Sequence, residues 1–479
     1  MRVHVEELVV TSAGRPLVDV ADVRLAPGRA VTIVGESGSG KSLLAHAVMG
    51  TLAPELEARG RLRLDDTGYD VADRGNRRHL WGRRMALLPQ EPVLALDPTM
   101  RVGEQVAEGA PGFRADRRAG RRRAAELLTT LGLGGWARAH PHTLSGGMAQ
   151  RVAFAAATIG GAGVLIADEP SKGLDDAARD GLAALLLRHV DAGGVLLTIT
   201  HDLDLARRLG GEVLVMRDAA VVERGPAAEV LDRPAHPYTR RLLAAEPGRW
   251  AHPWMRSRAG GSPSPGGAPV LVSADGVSKG FDGRSVFADV SLTVRGGDRL
   301  ALTGPSGSGK TTLGGVLLRL LPPDGGKVRH APELAGGRLQ KLYQDPAVSF
   351  PARVPIGVGL RDVLRRHRPK PGRLEGLMTS MRLGEALLRR RPGQVSGGEL
   401  QRLAIIRAML LDPLLLFADE PTSRLDLVTQ EETMGCLMEQ VDRAGCGLVL
   451  VTHDRALARA VCDREVSLTP EPAGVPGSR

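Results

Sequence analysis

The sequence predicts an α/β protein built as two tandem domains of one fold, and three observations carry that prediction. Six short motifs recur in the same order in both halves of the 479 residues. They are "GESGSGKS" and "GPSGSGKT", "LLPQEP" and "LYQDP", "LSGGMAQRV" and "VSGGELQRL", "VLIADEP" and "LLFADEP", "KGLD" and "SRLD", and "LLTITHD" and "LVLVTHD". The apolar runs before each glycine-rich loop, each "DEP" and each "THD" are short and bounded by turn or polar residues, as buried strands of a parallel sheet are, with helical stretches between them. Between the halves, Pro247–Pro269 is rich in Pro, Gly and Ser and reads as a flexible linker. The expected organisation is a first domain over 1–246, a linker over 247–269, a second domain over 270–470 and a flexible tail over 471–479.

In chain order, the first element of each half is a strand, a loop and a helix. Gly35–Ser42 and Gly304–Thr311 fit the G-x-x-x-x-G-K-[ST] phosphate-binding loop. Gly35, Gly38 and Gly40, with Gly304, Gly307 and Gly309, let backbone N–H groups turn inward around a phosphate, and the helix N-terminus adds favourable potential. Ser37, Ser306 and Thr312 are further candidate contacts in these loops. Lys41 and Lys310 are placed to reach the outer phosphates, and Ser42 and Thr311 to put a hydroxyl on Mg²⁺. Only seven of the 64 basic residues are lysine, yet both loops carry one at this place, so the position selects Lys for its chemistry.

Asp168 and Asp419 end apolar strands with a carboxylate, an arrangement that holds Mg²⁺. Glu169 and Glu420 follow directly, where a second acid can accept a proton from an attacking water. His201 and His453 close the series, each in "T-H-D" after an apolar run. A lone histidine there reads as structural; the same histidine twice, after a "DEP" strand each time, reads as part of the site.

Composition narrows the class. The formal charge is +10, carried almost wholly by Arg; that is compatible with nucleic acid or an anionic surface, and also with genome base composition alone. Cys436, Cys446 and Cys462 show no metal-like or redox-like spacing and read as reduced thiols of a cytosolic protein. The most apolar run, Val152–Ala167, is short and broken by glycines, so no membrane span is expected. Glu6 and Glu7 interrupt the start where a signal peptide needs a plain apolar core, so export is not expected. Aromatics are 3% of residues, which argues against stacking platforms for single-stranded nucleic acid.

"LSGGMAQ" (Leu144–Gln150) and "VSGGELQ" (Val395–Gln401) resemble the signature sequence of ABC-type ATPases. The resemblance implies a RecA-like parallel-sheet core in each domain, with a small antiparallel β subdomain and a helical subdomain. Gln90 and Gln344 match the family's Q-loop and become candidate metal contacts. Asp175 and Asp426 match its D-loop, and His201 and His453 its switch histidine. It further implies that Ser145, Gly146 and Gly147 close on the ATP held by Lys310, and Ser396, Gly397 and Gly398 on that held by Lys41. The two domains would thus pair within the chain around two composite, hydrolytic ATP–Mg²⁺ sites.

"LLPQEPVLALDPTMRVGEQVAE" (Leu87–Glu108), "HPHTLSGGMAQRV" and "HPYTRRLL" (His236–Leu243) look like the ATPase subunits of oligopeptide, dipeptide and nickel importers. That resemblance implies two transmembrane permease subunits, an extracellular solute-binding protein, and a peripheral place on the cytoplasmic face of the cell membrane. "LDPTM" and "SFPAR" depart from the subfamily's Leu-Asn-Pro wording, and the second half has no "HPYT" of its own. The family's adenine-stacking aromatic is matched by Phe281, whereas Ser12 takes that place in the first half, so looser nucleotide binding is expected at the site using Lys41. The alternative weighed is a soluble twin-cassette ATPase acting on ribosomes or nucleic acid. The short linker, without heptads or charge pairs, argues against it.

Overall fold

The computed structural model describes residues 1–256, 267–281 and 283–469; the central Pro/Gly/Ser stretch of the expected linker and the expected tail over 471–479 lie outside the described residues. The chain divides into two compact units, Met1–Ala244 and Ala245–Arg479.

The strands of the first unit are β1 (Val3–Ser12), β2 (Arg15–Leu25), β3 (Arg29–Val34), β4 (Glu57–Leu64), β5 (Thr67–Asp70), β6 (Met85–Leu88), β7 (Val164–Asp168), β8 (Val195–Ile199), β9 (Glu212–Arg217) and β10 (Ala220–Pro226). They form an antiparallel sheet of order β2-β1-β4-β5 and a larger sheet of order β10-β9-β3-β8-β7-β6, parallel except for β10. A parallel strand covered on both faces is apolar throughout, and all five residues of β7 and of β8 are buried. Their alternation divides two cores. Val164 and Ile166 of β7 pack with the antiparallel sheet and the Lys41–Met49 helix, while Leu165 and Ala167 pack against helices on the other face.

The second unit repeats the plan with β11 (Val270–Phe281), β12 (Arg284–Arg295), β13 (Arg299–Thr303), β14 (Gly325–His330), β15 (Leu339–Leu342), β16 (Leu415–Asp419), β17 (Gly447–Val451) and β18 (Arg464–Ser467). Its sheets run β12-β11-β14, antiparallel, and β15-β16-β17-β13-β18, parallel. This parallel order corresponds strand for strand to β6-β7-β8-β3-β9. Between the strand after each phosphate-loop helix and the strand carrying each "DEP" aspartate lie helical segments, including Arg117–Thr130 in the first unit and Ile356–His367 in the second.

The structure departs from a flexible linker at its start. Pro247–Arg249 and Pro253–Arg256 are short helical turns, and Trp250 and Trp254 are buried in a second-unit core with Leu457 and Val461. Trp250 Nε1 donates to the Ala245 carbonyl at 2.8 Å, and the two indoles meet edge to face with centroids 6.3 Å apart. His252 stacks on Trp254 and lies 3.1 Å from Glu431. Composition marked this stretch by its prolines and glycines, but burial of two indoles offsets the entropy lost in ordering so short a segment. Replacing Trp250 by Ala is expected to cost the second unit about 3–5 kcal/mol, read as an earlier urea transition for that unit with the first unit's unchanged. An unmoved transition would show that this segment is no part of the fold.

Candidate functional site

Register places the candidate residues. Asp168, the last residue of β7, pairs with Ile199 of β8, and Ile199 pairs with Ile33 of β3. The carboxylate, the loop after β3 and the histidine after β8 therefore emerge together at the C-terminal ends of three adjacent strands, where open α/β sheets place their ligands. Asp419, Val451 and Leu302 repeat this alignment in the second unit.

Each loop turns through positive φ at three glycines: 152°, 83° and 100° at Gly35, Gly38 and Gly40, and 143°, 80° and 90° at Gly304, Gly307 and Gly309. A Cβ on Gly35 would overlap the Met216 carbonyl oxygen, and one on Gly304 that of Leu468, so the loops are also pressed against the neighbouring strand end. Lys41 Nζ donates to the Gly35 and Glu36 carbonyls at 2.8 and 2.7 Å; Lys310 does the same to Gly304 and Pro305 at 2.7 and 2.8 Å. Both lysines are over nine-tenths buried, which sets a desolvated positive charge inside the loop and fits a phosphate.

The Ser42 hydroxyl donates to Asp168 Oδ1 at 2.9 Å, and that of Thr311 to Asp419 Oδ1 at 3.4 Å. Burial pushes Asp168 above the usual carboxylate range despite the Ser42 hydrogen bond, and the adjacent Glu169 charge adds to the rise. Asp419 is raised by burial as well, opposed first by Lys341. Oxygen donors gathered on a buried carboxylate fit a hard divalent cation such as Mg²⁺.

Glu169 and Glu420 adopt left-handed backbone, with φ of 45° and 44°, which costs about 1–3 kcal/mol for a residue with a side chain. Their N–H groups donate to Ile199 and Val451, at 2.7 and 3.0 Å, tying the turn to the next strand. Glu169 Oε2 lies 2.7 Å from His201 Nδ1, and Glu420 Oε1 lies 3.1 Å from His453 Nδ1. Burial works to raise both glutamates, but the histidine hydrogen bonds and charges prevail and hold them below the usual 4.5. Burial works to lower both imidazoles, and the glutamates hold them above the usual 6.5. Each pair thus couples a glutamate of lowered proton affinity to a histidine of raised proton affinity, beside a metal-type aspartate.

Other expected residues have different surroundings. Gln344 donates to Glu420 Oε2 at 3.1 Å, while Gln90 is exposed in the loop after β6. Asp175 and Asp426 cap helices of their own units, accepting from Ala178 N and Thr429 N. Ser145 and Ser396 likewise cap the signature helices Gly146–Thr158 and Gly397–Met409, both serines exposed. A Cβ on Gly147 or Gly398 would meet Ala178 or Thr429, so the second signature glycine lets each signature helix lie against the helix that the "L-D" aspartate caps. Phe281 ends β11, paired with Arg284, and is 49% exposed beside a cleft of about 310 Å³ lined also by Lys279, Ser285 and Asp324. Ser12, paired with Arg15 at the end of β1, holds the corresponding position in the first unit.

One residue near the first loop escaped the sequence reading as a loop contact. Tyr238 of "HPYT" is buried, and its Oη accepts the Glu36 N–H at 2.9 Å. Glu223 holds the segment in place by accepting from the Ala235 and His236 N–H groups. Pro305 stands where Glu36 does and has no N–H to give. That Glu-to-Pro difference between the loops was the available signal.

Comparison with known proteins follows the same lines. A family model described as ABC transporter matches residues 18–172 and 287–423. The uncharacterized ABC transporter ATP-binding protein YejF of Escherichia coli (strain K12) is 31% identical over 492 residues, covering 95% of this chain and 90% of that protein. The glutathione import ATP-binding protein GsiA of Escherichia coli O1:K1 / APEC is 32% identical, covering 93% of this chain and 80% of that protein. Among solved structures, the archaeal ribosome recycling factor aABCE1 with ribosomal stalk protein aP1 aligns at a TM-score of 0.65 and 21% identity, covering 96% of this chain and 87% of that one. That last likeness shows the fold alone.

Two outcomes are expected. Tyr238→Phe removes one acceptor and weakens binding of a fluorescent ATP analogue at the first unit by about fivefold, the equivalent of about 1 kcal/mol, with the second unit unaffected. The Glu–His pair sets a pH window. Its stabilisation is lost as pH falls through the depressed Glu169 value, and the imidazolium share is lost as pH rises through the raised His201 value. His201→Ala removes the imidazole that chiefly opposes burial on Glu169, leaving only the Lys41 charge and the residue-201 N–H, so the acid limb of first-site turnover, measured in a Glu420→Gln background, should move to higher pH. An unmoved limb would remove Glu169 as the titrating base.

Proposed function

The chain belongs to the ABC transporter family and is an ATPase, and we propose that it is the energy-coupling subunit of an importer for peptides or a related small solute. The observation that carries this reading is the likeness, across both cassettes, to a protein named for glutathione import. The "HPYT" segment of importer type, buried against the first loop through Tyr238, supports it. Among the described residues no helix is long and apolar enough to cross a membrane, so membrane work falls to other chains: two permease subunits, with an extracellular solute-binding protein delivering cargo. The place of action is then the cytoplasmic face of the cell membrane.

At each site Lys41 or Lys310 binds the outer phosphates, and the loop N–H groups hold them in position. Ser42 with Asp168, or Thr311 with Asp419, would hold Mg²⁺, which would supply neutralisation of phosphate charge there. Glu169 or Glu420 takes a proton from the attacking water at a carboxylate oxygen, and His201 or His453 orients that carboxylate. The signature helices starting at Ser145 and Ser396 offer N–H groups to the ATP held by the opposite cassette, with Asp175 and Asp426 fixing the helices behind them. ATP binding closes the two cassettes and hydrolysis reopens them, a cycle that the permease converts into alternating access.

Two experiments test the proposal. Glu169→Gln with Glu420→Gln should retain ATP binding and lower turnover about 10²–10⁴-fold; undiminished turnover would refute the assignment of these bases. Tagged chain purified from gently solubilised native membranes should bring two polytopic permeases and a solute-binding protein. Ribosomal proteins in their place would favour the twin-cassette ribosome reading and sink the importer.

A further inference from the structure

The two metal-type carboxylates differ in one neighbour. Leu87 of β6 pairs with Ile166, two residues before Asp168; Lys341 of β15 pairs with Phe417, two residues before Asp419. The positions are equivalent, and the side chains are opposite in kind. Leu87 packs against the apolar core between the sheets. Lys341 extends its ammonium to 3.3 Å from Asp419 Oδ2, with side chains only 15% and 9% exposed.

The surroundings are built for this cation. Lys341 Nζ lies 5.0 Å from the Tyr343 ring centroid and 5.7 Å from that of Phe417, both within cation–π range. Phe417 fits only because residue 314 is glycine, where a Cβ would overlap its ring; the first unit has Ile166 and Ala45 at these places. In a chain with seven lysines, one stands at a strand position where the sister unit uses leucine.

We propose that Lys341 is a resident cation on Asp419 that competes with the divalent metal, so that the second cassette holds Mg²⁺ more weakly than the first and fills at a higher metal concentration. The inference rests on reading both cassettes as ATP–Mg²⁺ sites. An ammonium and a divalent cation repel each other when they share a carboxylate, and burial leaves little water to screen them. The metal binds only after Lys341 swings away or at the expense of that repulsion.

Mn²⁺ titration of the full chain, followed by electron paramagnetic resonance with a non-hydrolysable ATP analogue, tests this without turnover. The wild-type chain should show two classes of Mn²⁺ site, about tenfold apart in affinity. Lys341→Leu should raise the weaker class towards the stronger, and Leu87→Lys should weaken the stronger one. Lys341→Met, unbranched like lysine, should behave as Lys341→Leu does. A structural lysine would give the opposite sign, because disturbing the strand lowers affinity. Two equal classes in the wild-type chain, or both Lys341 variants leaving the weak class unchanged or weaker, would overturn the inference. Absence of Mn²⁺ from both cassettes would overturn the ATP–Mg²⁺ reading itself, and the inference with it.

Discussion

The parallel hydrogen-bond register of three adjacent strands is the constraint on which each unit depends. A shift of one residue between β3, β8 and β7 would separate the phosphate loop, the Ile199 end that precedes His201, and Asp168 by a residue's rise, and it would turn alternating side chains into the wrong core. That register is held by burial. Val164 and Ile166 belong to one core and Leu165 and Ala167 to the other, so slippage exposes neither set to water but puts each against the wrong neighbours. The carboxylate lies at the strand's last residue, where the apolar run can end without burying a charge in its middle.

On this frame each site holds polar groups under strain that local contacts offset. The left-handed glutamate after each aspartate is bound through its N–H to the next strand and through its carboxylate to a histidine. Two charges that burial would separately suppress instead favour one another, which lowers the proton affinity of the glutamate beside a metal-type aspartate that burial pushes the other way. The two neighbouring carboxylates are thus driven apart in proton affinity by their different surroundings.

The two units share a strand order and differ in how they brace it. Glu36 offers an N–H that Tyr238 accepts, and Pro305 closes that option in the second loop. Phe417 fills space that Ile166 and Ala45 fill in the first unit, and Gly314 with Lys341 accompanies the exchange. Such correlated differences are packing solutions, since a ring of that size cannot enter a close-packed core without a partner giving way.

The repeat, the loops, the strand-ending aspartates and the paired histidines were legible in the sequence, because each is marked by a short contiguous motif even where its chemical partner lies far along the chain. The ABC family likewise rests on contiguous motifs. Other features joined residues far apart in the chain and needed the tertiary structure. Trp250 and Trp254 sat in a stretch whose prolines read as a linker, and only their burial against Leu457 and Val461 attached them to the second unit. Asp175 and Asp426 were legible as D-loop aspartates, but only the structure showed their carboxylates capping the helices that begin beside them. Tyr238 reaches a loop some 200 positions earlier, and Lys341 reaches Asp419 across a strand pair. Sequence by itself determined which chemical groups each cassette carries and in what order. Tertiary structure alone decided which of them share a carboxylate, a loop or a core, because that depends on strand register and packing between segments that no local spacing records.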